Sequence, residues 1–86
     1  MREMLLDGSQ INDKADLYEA IREQLPVPDY FGNNLDALHD IVSEDTTPVC
    51  LNIDNFERLQ RSVTGPYLIS LFHVIMDCGG EIHIFS

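Results

Sequence analysis

The densest chemistry in this chain lies in the run Tyr30-Phe31-Gly32-Asn33-Asn34-Leu35-Asp36-Ala37-Leu38-His39-Asp40. On a helix, residues three and four apart share a face. Asp36, His39, Asp40 and Ser43 then group on one side, and Leu35, Leu38, Ile41 and Val42 form a core stripe on the other. Tyr30 falls just before the helix, on an extended segment. The exposed side offers two carboxylates one turn apart, an imidazole and a nearby phenol. Like charges at i and i+4 weaken an isolated helix by a few tenths of a kcal/mol, so folding has no use for the Asp36 and Asp40 pair. Carboxylates accept bidentate hydrogen bonds from arginine, and a phenol adds contact area at low entropy cost. Such a face suits docking on a basic protein cleft. A cleft that binds nucleic-acid phosphates is one such target, because carboxylates can take the phosphate positions.

Catalysis has no comparable support. The chain holds no nucleophile elbow, no phosphate-cradling glycine loop and no Cys-x-x-Cys. Asp36, His39, Asp40 and His73 could in principle bind a divalent ion, but Asp-x-x-His-Asp on one helix does not close a ligand set. Cys50 and Cys78 sit in apolar surroundings, one in a strand and one near a helix end, and are expected as reduced core thiols. The expectation is therefore no enzyme, no cofactor and no metal.

Charge narrows the partners. Fifteen acids oppose five bases, for a net charge of -10 and a pI near 4.3. Nucleic acid and anionic membranes both require a basic face, so direct binding to either is not expected. From Glu23 to Glu57 there are eight acids and no Lys or Arg, a field of one sign that favours a basic partner. The 44% hydrophobic share is too high for a disordered chain. No apolar run approaches the roughly 20 residues a bilayer span needs. The opening Met1-Arg2-Glu3-Met4-Leu5-Leu6 lacks the apolar stretch of a secretory signal. A cytoplasmic protein, monomeric when free, is expected.

The elements that must position the acidic face follow from local signals. Eighty-six residues predict one domain, 1–86. Met1 to Leu6 reads as a strand closed by the turn Asp7-Gly8. Asp13 caps a helix with Asp16 in its first turn, carrying Ala15, Leu17, Ala20, Ile21 and Leu25 near helical spacing. Pro26 and Pro28 stop it. Gly32 supplies freedom for a bend, and Asn33 or Asn34 caps a second helix to about Ser43. After the loop Thr46-Thr47-Pro48 comes an apolar strand, Val49 to Ile53. Asp54 and Glu57 predict a capping box for a short helix, Asn55 to Arg61. Gly65-Pro66 opens a fourth helix that runs to about Asp77 and ends at Gly79-Gly80. Ile82, Ile84 and Phe85 mark a third strand, with His83 turned to solvent or the open side of the sheet. Strands separated by helical crossovers imply a parallel sheet. The fold class is α/β, a small three-stranded parallel sheet with about four helices packed on it.

The run from Tyr30 to Asp40 resembles the barstar family signature, a tyrosine-aromatic-glycine run followed by Asn-Leu-Asp-Ala-Leu, usually tryptophan, then Asp. The opening strand closed by Asp7-Gly8, then Gln10-Ile11 and Asp16-Leu17, and the ending from Gly79 to Ser86 are also similar to that family. The resemblance implies a three-stranded parallel sheet with helices and an intracellular inhibitor of secreted-type microbial ribonucleases. It implies that Tyr30, Asn34, Asp36 and Asp40 stand in the ribonuclease-contacting loop and helix. Asp40 would plug the enzyme's phosphate-binding site, Asp36 would add a second acidic contact and Tyr30 an aromatic anchor. The candidate partner-binding set is Tyr30, Asn34, Asp36, His39, Asp40, Ser43 and Glu44. Two positions depart from the family. His39 replaces the usual tryptophan and can become cationic near neutral pH. The last helix carries only Asp77 where known members carry several acids. The implied partner is an extracellular-type ribonuclease or ribonuclease toxin. The alternative is an acidic interaction module of the same fold bound to another basic partner, such as a nucleic-acid-binding protein or a different toxin.

Overall fold

The computed structural model describes residues 2–28, 32–44 and 47–85. The elements run β1 (Arg2–Asp7), α1 (Lys14–Gln24), α2 (Leu35–Glu44), β2 (Val49–Asp54), α3 (Phe56–Ser62), α4 (Gly65–Asp77) and β3 (Glu81–Ile84). The strands pair in parallel in the order β1-β2-β3, the arrangement that helical crossovers predict. Glu3 and Leu5 stand opposite Cys50 and Asn52, which stand opposite Glu81 and His83. Side chains alternate between the two faces of a sheet. Met4, Leu6, Leu51 and Ile53 therefore share one face, are buried, and merge into a single core with side chains of all four helices. The helical core leaves the other face uncovered, and Glu3, Leu5, Glu81 and His83 are exposed on it.

Most helix boundaries follow the local signals. The Asp13 carboxylate accepts from the Asp16 N–H at 2.9 Å, and the Asp16 carboxylate accepts from the Asn12 N–H at 3.0 Å. Leu17 and Ile21 are buried as expected. Ala15 is exposed, however, and Tyr18 is fully buried in its place. The Tyr18 hydroxyl finds the Tyr67 hydroxyl across the core, which lets a phenol sit there without an orphaned polar atom. Burial, then the bond to Tyr67, pushes the Tyr18 phenol far above its ordinary value. The edge of β1 is covered by Gln24, whose amide accepts from the Leu5 N–H at 2.7 Å and donates to the Leu5 carbonyl at 2.8 Å. An open strand edge is thereby closed by a side chain. At the end of α4 the Gly79 N–H donates to Met76 and the Gly80 N–H to Ile75, with Gly79 at φ +82. That is a left-handed cap, for which glycine has no steric cost.

The capping box expected from Asp54 and Glu57 does not form. Asn55 is the N-cap of α3, in a left-handed conformation with φ 53, and makes no side-chain cap. Its amide instead donates to the Asp7 carboxylate at 2.8 Å, while Glu57 reaches Arg61 at 3.5 Å. A tie between the ends of two strands displaces the local cap. Phe56 and Phe72 are half-buried and stack, with ring centroids 6.3 Å apart. Cys50 and Cys78 are free thiols, the first buried and the second half-buried. Among the described residues, no helix is long and apolar enough to cross a membrane. Thr46 of the expected loop lies outside the described residues.

Candidate functional site

The helix α2 is fixed from its inner side. Leu38 and Val42 are buried, and Leu35 and Ile41 pack half-buried against the same core. A fully buried leucine contributes about 1.5–3 kcal/mol relative to an exposed one, enough to set the rotation of a ten-residue helix. The outer side is then decided: Asp36, His39, Asp40, Ser43 and Glu44 are all exposed. At 100° per residue these five span an arc of about 140°. Asp36, Asp40 and Glu44 follow one another at intervals of roughly 6 Å along the axis.

The start of α2 is built from two asparagines with separate tasks. The Asn34 side-chain oxygen accepts from the Ala37 N–H at 2.8 Å, which makes Asn34 the cap that the sequence left open between Asn33 and Asn34. Asn33 accepts from Arg22 at 2.7 and 3.2 Å, tying the approach of α2 to the last turn of α1. No local signal could reveal that bond, because its partner lies on another element. Gly32 leads into the expected bend, which falls at Asn33 and Asn34, and a Cβ on it would lie 2.9 Å from the Asn34 amide nitrogen. That nitrogen is the end of a flexible side chain that can shift, and the Gly32 φ lies outside the left-handed region.

Asp36 lies in the first turn of α2, where the helix dipole favours a carboxylate. Glu44 ends the helix, where the dipole opposes it, and no base occupies the last turn. The Ser43 hydroxyl donates to the Asp40 carbonyl at 3.2 Å and is satisfied by its own helix. Among the described residues, nothing donates a hydrogen bond or ion pair to the carboxylates of Asp36, Asp40 or Glu44. Tyr30, the expected aromatic anchor, lies outside the described residues. His73 is exposed on α4, and no metal-ligating group among the described residues includes it or Asp36, His39 and Asp40. The arrangement is an acidic ridge on the outer side of a helix whose inner side is packed into the core.

A family model described as Barstar (barnase inhibitor) matches residues 1–82. A protein of Bacillus subtilis (strain 168), named "Putative ribonuclease inhibitor YrdF", is 31% identical over 83 residues, covering 95% of this chain and 90% of that protein.

Proposed function

Since the chain belongs to the barstar family, we propose that it is a protein inhibitor, not an enzyme, whose α2 ridge enters the basic active-site cleft of a microbial ribonuclease. The observation that carries this reading is the set of unanswered carboxylates, Asp36, Asp40 and Glu44, on a helix locked by Leu38 and Val42. A rigid element keeps the ordering cost of binding low. Charge-assisted bonds from arginines of the partner would satisfy those carboxylates, with Asp40 as the principal plug and Asp36 beside it. Tyr30, Asn34, His39 and Ser43 complete the contact. Inhibition of this kind blocks the cleft sterically and needs no cofactor. The net charge of -10 supports electrostatic steering of association, with an on-rate that falls as salt rises; the barnase–barstar pair, whose inhibitor gives this family its name, is a known case of the effect. One domain over 1–86, acting as a monomer in the cytoplasm, serves this role.

The test is titration of the purified chain into a barnase-type ribonuclease while RNA cleavage is followed. Cleavage should fall linearly and end at one inhibitor per enzyme, and Asp40→Ala should abolish the effect. A second reading rests on His39 and on the single acid of α4, Asp77, which shrink the anchor set. In that reading the same ridge binds a basic partner that is not a ribonuclease. Undiminished cleavage, with capture of a different basic protein that Asp40→Ala fails to capture, would decide for it.

A further inference from the structure

The uncovered face of the sheet brings together residues that the sequence keeps far apart. The parallel register sets Glu3, Cys50 and Glu81 in one row across the three strands, and Leu5, Asn52 and His83 in the next. Alternation puts all six on the same face. The Cys50 thiol sulfur, a Glu81 carboxylate oxygen and a His83 ring nitrogen all lie within 4.8 Å of one another. His83 and Glu81 already meet at 3.2 Å, which orients the imidazole. Cys50 is 7% exposed, and its thiol faces the Asn52 side-chain oxygen at 3.8 Å.

We propose that Cys50, Glu81 and His83 form a binding site for a divalent transition metal of the zinc class, with water as the fourth ligand. Thiolate, imidazole and carboxylate together match zinc, whereas magnesium and calcium call for oxygen ligands alone. In a tetrahedral zinc site the ligand atoms stand about 3.3–3.8 Å apart, as bond lengths of about 2.0–2.3 Å require. Closing the triad thus takes movements of about 1 Å. Cys50 is the fixed point, being buried in the central strand. Glu81 and His83 have side chains 56% and 50% exposed, so they are free to turn inward. Glu3 places a further carboxylate beside Cys50 in register, which favours a dication. On binding, the S–Zn bond forms and the thiol proton passes to solvent, with no change of oxidation state. The metal would pin the edge strand β3 to β2, away from the α2 ridge.

The experiment uses the untagged full chain. Calorimetry should give one zinc per chain, and zinc in excess should raise the melting temperature by on the order of 10 °C. Cobalt in place of zinc should show a thiolate-to-cobalt charge-transfer band that Cys50→Ala removes. His83→Gln and Glu81→Gln, at exposed positions that folding tolerates, should each weaken zinc binding roughly tenfold or more. His73→Gln should leave it unchanged. Absence of saturable zinc binding, a cobalt complex without the thiolate band, or wild-type affinity in His83→Gln would each overturn the proposal.

Discussion

Asp7, Asp13 and Asp16, at the end of the first strand and the start of the first helix, differ from the acids of α2, although the residue types are the same. Asp7 accepts from the Ser9 hydroxyl at 2.7 Å, the Ser9 N–H at 2.9 Å and the Asn55 amide at 2.8 Å. Asp13 and Asp16 each accept a backbone N–H at the start of α1. These carboxylates close turns and caps, so the fold itself answers their charge. Asp36, Asp40 and Glu44 repel along one helix and receive nothing from the described residues. A charge the fold does not use, kept on a rigid element, is available to another molecule. The two groups should therefore separate in experiment, one setting stability and the other setting affinity.

The largest effect expected is that of Asp40→Ala on partner affinity. Removing one member of a desolvated charge pair costs about 2–5 kcal/mol or more, because the partner's cation is left buried. Stability should stay within about 0.5 kcal/mol of wild type, as usual at an exposed position. Titration calorimetry against a barnase-type ribonuclease, alongside thermal melts, reads both; a lowered melting temperature with unchanged affinity would break the contrast. Asp13→Ala should show the reverse pattern. Loss of an N-cap costs about 1 kcal/mol, a fall of roughly 4–8 °C in melting temperature, with affinity unaltered.

Asp7 sharpens the contrast through pH. Hydrogen bonds from the Ser9 hydroxyl, the Asn55 amide and the Ser9 N–H hold its carboxyl below the ordinary 3.8. A depressed folded value means that its contribution is complete above the unfolded value and is lost as pH falls through the folded one. Urea melts of Asp7→Asn should accordingly show a shallower loss of stability below about pH 4 than wild type. A slope equal to that of wild type would remove Asp7 from the structural group. The smallest effect belongs to Glu44→Lys. It replaces an acid with a base in the last turn of α2 and places it four residues after Asp40, so it should stabilise by about 0.3–1 kcal/mol. Stopped-flow mixing should show a slower association at low salt, since the steering field is reduced.

Short-range physics decided much of this protein from the sequence alone. The element order, the caps at Asp13 and Gly79-Gly80, and the split of α2 into an apolar and an acidic side all depend on contacts within about four residues, which spacing reports directly. The resemblance carried by Tyr30 to Asp40 added the family, because that run is dense enough to identify it. Contacts between elements were beyond reach of such signals. Arg22 engages Asn33 from another element while Asn34 caps α2, and Asn55 serves Asp7 in place of a capping box at α3. Tyr18 falls on the buried stripe with Leu17 and Ile21, but only the tertiary structure brings Tyr67 of another helix to its hydroxyl. The row of Glu3, Cys50 and Glu81 exists only through strand register. Register is set by which faces the whole core buries, and a slip of one residue would turn every one of these side chains to the opposite face.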